Sequence, residues 1–337
     1  MILTTTVPPK IEEIVEVEKV EAMCSPNFQK FLNVYSVVAL GACSVLYSAL
    51  TIVLLNHSKS FHPLFTVSFT IFVVTYALSN ILAFLETVLI MFEGPENVFN
   101  IMDFIYTCVS FYMQPLVVLS LLERILATAR VSTYENSRHW IAYACGQIIC
   151  VVFVYFEYTE FSGISEIRQY ITLTLSTVIT LCLLALLWIN SRLTVLAMAK
   201  ENLTTRYQLA ENIKALRTYI PFIAIDNIVS VTFGLSNKFL NVDYIFDEET
   251  CLKQPSYLTL FFIFRTYIIL AQLVMPATVV WYHETLRAKF FAIFRKISGV
   301  APAVVLGTVK IRNVLGKEIA TSVSQNDYFN QLQNQWH

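Results

Sequence analysis

"LLERILATARVSTYENSRHW", Leu121 to Trp140, opens as the end of an apolar run and turns abruptly charged and polar at Glu123-Arg124. Residues 101–122 lead into it and carry one charged side chain, Asp103. At ~1.5 Å per residue a helix of that length reaches the ~30 Å of a bilayer's hydrocarbon core. A core helix of a soluble protein needs only ~10–14 apolar residues. The stretch therefore reads as a membrane span, with Glu123-Arg124 where the helix leaves lipid.

The same reading applies along the chain. Apolar stretches at 34–55, 64–92, 101–122, 141–156, 167–189, 219–240 and 257–282 make seven expected spans, the fourth being the shortest. Backbone groups in lipid must be satisfied within the segment, so these are expected to be helices. The chain is 56% hydrophobic and only 14% charged, where soluble domains carry ~25% charge. The fold class expected is an all-α membrane protein, a seven-transmembrane helix bundle. No internal repeat is evident, which disfavours transporters built from duplicated bundles.

Lys and Arg set the expected orientation. With the N-terminus outside, thirteen Lys and Arg fall on inner connections and six on outer ones. The positive-inside rule then favours N-terminus out and C-terminus in. The sequons Asn56-His57-Ser58 and Asn202-Leu203-Thr204 fall on the inner side in this topology and read as chance occurrences. Residues 1–33 are expected to be extracellular and lack the basic and apolar regions of a cleavable signal, so the first span is expected to act as the targeting signal. Residues 34–282 form the bundle, and 283–337 a cytoplasmic tail.

The tail begins with "HETLRAKFFAIFRKI", which reads as an amphipathic helix over 283–297. Leu286, Phe290, Ile293, Phe294 and Ile297 share a face, flanked by Arg287, Arg295 and Lys296. That pattern suits a helix lying on the anionic inner leaflet.

A net charge of −1, with no basic block interleaved with exposed aromatics, points away from nucleic acid. Seven cysteines without C-x-x-C spacing give no zinc or redox motif, and no metal or cofactor is expected. Cys24 precedes the first span and Cys251 the seventh. Both are expected outside, where oxidation is permitted, and in a closed ring these helices are neighbours. A Cys24–Cys251 disulfide is geometrically reasonable.

Glu123-Arg124 has two readings. One is an interfacial anchor that snorkels. The other is a conformational lock, with Arg124 held by Glu123 in one state and freed in another for a partner entering between helix ends. "KENLTTRYQLAENIKALR" (Lys200–Arg217) reads as an inward extension of the sixth helix, or as a solvated face.

Third-helix Glu-Arg in a seven-span chain resembles the Asp/Glu-Arg-Tyr motif of G-protein-coupled receptors. "ERILAT…YENSRHW", "TTRYQLAENIKALR" and "MPATVVWYHETLR" together resemble the nematode chemosensory serpentine receptors, class epsilon (Sre). That resemblance implies a receptor for a small-molecule ligand, coupled to a heterotrimeric G protein in the plasma membrane of a sensory neuron. It implies that Arg124 engages the G protein with Glu123 as its resting partner, and that Arg206, Glu211 and Asn212 face the transducer or pack against it. Ile125 stands where the general motif has Tyr, and Pro276 lacks the usual preceding Asn and following Tyr, so the better-known switch mechanism does not transfer in detail.

Ionisable groups inside a span default to functional roles. Asp226 and Arg265 both fall near mid-depth when counted from the nearest helix end, and are expected to form an ion pair or line a ligand cavity. Glu86 and Asp103 are candidates for an acidic pocket mouth. Tyr106, Phe111, Tyr112, Gln114, Phe222, Tyr267 and Gln272 offer an aromatic and polar lining for a small organic ligand.

Two other function classes compete. His57, His62, His139 and His283 all fall near the inner face, which keeps a seven-span metal hydrolase in view, although no His-Glu-x-x-His or Gly-x-Ser-x-Gly supports it. A ligand-gated channel would have the inverted topology.

Overall fold

The computed structural model describes Cys24, residues 26–56, 62–131, Tyr134, 139–160, 165–200, 203–242, 246–254, 256–282 and 284–298. Some side chains near helix ends, Arg206 among them, lie outside the described residues. So do most of the N-terminal segment, the tail after Ser298, and the sequon positions His57, Ser58 and Asn202.

The described chain is helical: α1 (Pro26–Asn56), α2 (Pro63–Met91), α3 (Glu96–Ala129), α4 (Trp140–Glu160), α5 (Ser165–Lys200), α6 (Leu203–Leu240), a short α7 (Glu248–Lys253), α8 (Tyr257–Tyr282) and α9 (Glu284–Ser298). α1 to α6 and α8 are long and apolar enough to cross a membrane. α4 runs past the expected 156 to Glu160, a length of ~30 Å at the helical rise.

Local chemistry sets the helix ends. Pro63 opens α2, where its missing N–H costs nothing and its fixed φ suits a first turn. α6 stops at Asn241, which takes a left-handed φ of 52°, a conformation Asn tolerates at a helix C-terminus. Asp247 caps α7 by accepting from the Glu249 and Thr250 N–H groups. Pro115, Pro221 and Pro276 each interrupt the hydrogen-bond ladder inside α3, α6 and α8.

The long helices close into a ring. α1 packs on α2 and α8, α8 on α6, and α6 on α5, while α3 touches α2, α4, α5 and α6. α4 joins the bundle chiefly through α3. The core is aromatic. Phe65, Phe69, Phe72 and Tyr76 recur at three- and four-residue spacing on one face of α2 and meet Tyr219 and Phe222 of α6 and Tyr47 of α1. The Phe72 and Tyr76 rings stand edge-on to Phe222, with centroids 5.1 and 5.0 Å away.

The outer surface is equally apolar. Val38 is 68% exposed, Ile141 82% and Trp188 62%. In water each such side chain costs ~25 cal/mol per Å² left exposed; against lipid that cost vanishes. Polar links then tie helices together inside. Ser68 and Ser120 share a 2.7 Å hydrogen bond between α2 and α3. Asn227 Nδ2 donates to the Ser176 carbonyl across α6 and α5 at 2.9 Å.

One end of the bundle is clamped. Cys24 and Cys251 form a disulfide with Cα atoms 6.1 Å apart, over a cluster of Leu32, Val242, Tyr257 and Phe261. The Asp247 N–H donates to the Tyr257 hydroxyl at 2.9 Å. The bridge joins the start of α1 to α7, just ahead of α8, where the ring closes.

α9 occupies the stretch expected to form an amphipathic helix, and part of its apolar face packs on the bundle. Leu286 and Phe290 are buried in the bundle core, and α9 packs on α1 and α8. Aromatic and aliphatic side chains gain more from close packing than from lipid contact alone, so this part of the apolar face goes to protein. Phe291 is 49% exposed, and the side chains of Ile293, Phe294 and Ile297 lie outside the described residues.

Candidate functional site

The site lies at the end of the bundle opposite the disulfide, where α3 finishes. Glu123 and Arg124 are both buried, 6% and 2% exposed, rather than snorkelling outward. Successive residues on a helix point about 100° apart, so the two side chains must bend toward each other to pair. They do so as a fork: Arg124 Nε donates to Glu123 Oε2 and Nη2 to Oε1. Bidentate, charge-assisted pairing of this kind is the strongest a guanidinium makes. It offsets the desolvation of two buried charges, which is otherwise several kcal/mol per ion.

The remaining donors reach other elements. Arg124 Nη1 donates to Asn212 Oδ1 of α6 at 2.7 Å. The guanidinium carbon lies 4.5 Å from the Phe65 ring centroid on α2. The Tyr134 hydroxyl, beyond the end of α3, donates to Glu123 Oε1. Burial first, then the Glu123 charge, push the Tyr134 phenol well above its ordinary range. It is therefore a donor at every physiological pH.

Asn212 extends the network. Its Nδ2 donates to Thr128 Oγ1 and Asn190 Oδ1, each at 3.2 Å. Asn190 Nδ2 of α5 donates to the same Thr128 oxygen at 2.9 Å, and Thr128 donates to the Arg124 carbonyl at 2.9 Å. Three helices thus meet on one threonine hydroxyl. The ion pair itself lies within α3. The bonds that tie α3 to α5 and α6 are amide and hydroxyl bonds, each worth ~1 kcal/mol net, or more where one partner is charged. α6 can therefore separate from α3 without splitting the ion pair.

Next to Arg124 is a cleft of about 20 Å³ lined by His62, Tyr134, Gln208, Glu211 and Asn212. That is room for about one water molecule. In this state α2, α3 and α6 are closed on each other at this end of the bundle. His62 and His139 flank Tyr134, with centroids 4.6 and 6.1 Å from its ring. His57 and His283 lie outside the described residues. Among the described residues no group of three His, Cys, Asp or Glu is placed to hold a metal ion.

Of the sequence-derived candidates, Glu123, Arg124, Glu211 and Asn212 converge here, and Arg206 falls on α6 with its side chain undescribed. Sequence reasoning did not single out Asn190, Thr128 or Phe65. Asn190 did carry a signal, being a carboxamide inside an apolar run.

The ligand candidates are dispersed. Glu86 and Asp103 are close enough to repel, with Asp103 exposed. Tyr106 and Tyr267 are half-buried on α3 and α8. The Tyr112 hydroxyl donates to Gln147 Oε1 of α4. Gln114 Nε2 donates to the Thr172 carbonyl at 3.1 Å and the Ser176 hydroxyl at 3.4 Å, both on α5. Gln114 alone of these lines a cavity of about 610 Å³ between α3, α4 and α5.

The expected Asp226–Arg265 pairing is replaced by separate partners. Asp226 faces Tyr47 and Tyr76, whose hydroxyl approaches the carboxyl outside hydrogen-bonding geometry. Arg265 Nη2 donates to Ser36 Oγ at 3.3 Å. Ser36 and Tyr47 are eleven residues apart on α1, ~16 Å along its axis. Counting depth from opposite helix ends made two levels look like one.

Among curated proteins, no sequence matches the chain. A family model for the Sre G protein-coupled chemoreceptor matches residues 92–337, from the end of α2 onward, and so contains the Arg124 network apart from its α2 contacts. The chain is a member of the Sre G protein-coupled chemoreceptor family.

Proposed function

We propose that this chain is a chemosensory receptor of the plasma membrane that binds an external small molecule and activates a heterotrimeric G protein through the Arg124 end of the bundle. The carrying observation is the Arg124–Asn212 bond, which closes α3 on α6 where a transducer would enter. The family assignment and the excess of Lys and Arg on connections at that end support the same reading. In this reading the N-terminus and the disulfide face outside, and the described conformation is the resting one. Activation parts α6 from α3, leaving Arg124 held by Glu123 and accessible from the cytosol. Two states that differ by a few amide bonds are close enough in energy for a ligand to shift.

The test is a chemical screen of the full-length receptor with G-protein nucleotide exchange as the readout, run on the parent and on Arg124→Ala. A compound that activates the parent and leaves Arg124→Ala silent, with surface expression matched, supports the reading. A response unchanged by Arg124→Ala removes Arg124 from the mechanism. An N-terminal epitope reached only in permeabilised cells overturns the orientation.

A further inference from the structure

The cavity between α3, α4 and α5 has a volume of about 610 Å³, within the ~300–1,000 Å³ of small-molecule sites. Its wall is largely apolar, with Pro115, Val118 and Leu122 from α3, and Ile149 and Phe153 from α4. Ile149 is 55% exposed and Phe153 60%, and both sit on the outer surface of a helix that meets the bundle chiefly through α3. The mouth therefore opens sideways, at the depth of the spans, where the surrounding medium is hydrocarbon. A molecule dissolved in the bilayer would reach it there directly.

The polar side chains of the lining are Gln114, Thr172 and, at the far end of α4, Glu157; Gln114 is the one set beside Pro115 on α3. Both N–H groups of Gln114 are directed to α5, onto Thr172 and Ser176. With its N–H groups so engaged, Gln114 has only its amide oxygen to offer a ligand, and that oxygen can only accept. α4 is brought close to α3 at Gly146, where a Cβ would meet Leu119 Cδ1 at 2.4 Å. Both residues line the cavity.

We propose that this cavity binds a lipid-soluble small molecule, an aliphatic or aromatic compound with one hydroxyl or N–H donor, which enters through the bilayer and donates to Gln114. Its signalling consequence rests on the receptor reading above. α3 carries Pro115 in the cavity wall and Arg124 nine residues further on, ~14 Å along the same axis. Pro115 cannot donate to the Phe111 carbonyl, so α3 is most easily bent at the cavity. A molecule seated against Pro115 bears on the segment that presents Glu123 and Arg124.

The test uses full-length protein in phosphatidylcholine nanodiscs and a diazirine-bearing octanol as photolabel, with unlabelled octanol as competitor and adducts mapped by mass spectrometry. Saturable labelling of Val118, Leu122, Ile149 or Phe153 is expected, reduced about tenfold by excess octanol. Ile149→Trp, on the lipid-facing rim, fills the mouth with no cost to the core and is expected to reduce it similarly. Val118→Trp fills the interior and is a second test, with folding checked by thermal melting. Even, unsaturable labelling over this region and over Val38, Val45 and Trp188 marks an ordinary acyl-chain surface and overturns the proposal. Saturable labelling that both variants leave unchanged also overturns it. Labelling needs no G protein, so a failed exchange assay with intact saturable labelling overturns the receptor reading and leaves the site standing.

Discussion

Arg124 Nη1 and Asn212 Oδ1 lie 2.7 Å apart and hold the end of α3 against α6. Because Arg124 keeps its bidentate partner Glu123 on its own helix, the partner it loses in the proposed opening is Asn212. Asn212→Ala is therefore expected to favour the open state. A buried bond to a charged group contributes ~1.5–3 kcal/mol, so basal nucleotide exchange should rise about tenfold or more. Exchange without ligand, normalised to surface receptor, checks this; a fall in basal exchange would contradict the assignment of this state as resting.

Tyr134→Phe removes one hydroxyl from Glu123 and keeps the ring against His62. A smaller rise in basal exchange is expected, about twofold to fivefold for ~0.5–1 kcal/mol. The phenol's value is raised, so its contribution is complete below the unfolded Tyr value of ~10 and is lost as pH rises through the folded one. Basal exchange of Tyr134→Phe relative to parent should thus be constant from pH 6 to about pH 9.

Cys24→Ser, Cys251→Ser and the double variant should melt at the same reduced temperature, since each removes the same bridge. A native disulfide contributes ~2–5 kcal/mol. Thermal denaturation in detergent, with and without reductant, measures the shift. Additive losses in the double variant would show that the thiols act separately.

Asp226→Asn combined with Arg265→Gln should show no coupling beyond ~0.5 kcal/mol, because the two residues have separate partners ~16 Å apart in level. A double-mutant cycle on thermal stability decides it. A coupling of several kcal/mol would restore the direct pair.

At the disulfide end, the Thr250 hydroxyl foremost, with the Glu249 and Thr250 N–H groups and Lys253, holds the Asp247 carboxyl below its usual range. A lowered folded value means the cap is intact above the unfolded Asp value of ~3.9 and is lost as pH falls through the folded one. Amide exchange at Glu249 and Thr250, corrected for intrinsic rate, should be flat from pH 7 to about pH 5 and accelerate only in stronger acid.

The seven spans and their helical type were legible in the sequence because lipid imposes one rule on each: apolar length with little charge. Glu123-Arg124 was legible because two adjacent charges at the end of a long apolar run are rare enough to ask for a reason. Its burial was not legible, since the covering surface comes from Phe65, Asn212 and Tyr134 on three other segments. The same limit explains Asp226 and Arg265. Depth counted in residues depends on where each helix starts relative to the membrane, and α6 begins sixteen residues before the apolar run that marks its span. The cavity was not legible either, because its wall is shared by α3, α4 and α5 and depends on how closely α4 meets α3 at Gly146.

The bond between Cys24 and Cys251 also has a consequence for biosynthesis. One sulfur is synthesised before the first span and the other 227 positions later, so a ribosome must complete nearly every crossing before the ring can be sealed. A nascent chain arrested ahead of codon 251 leaves its early thiol unmatched, so an unfinished molecule differs from a finished one by a free sulfhydryl at Cys24.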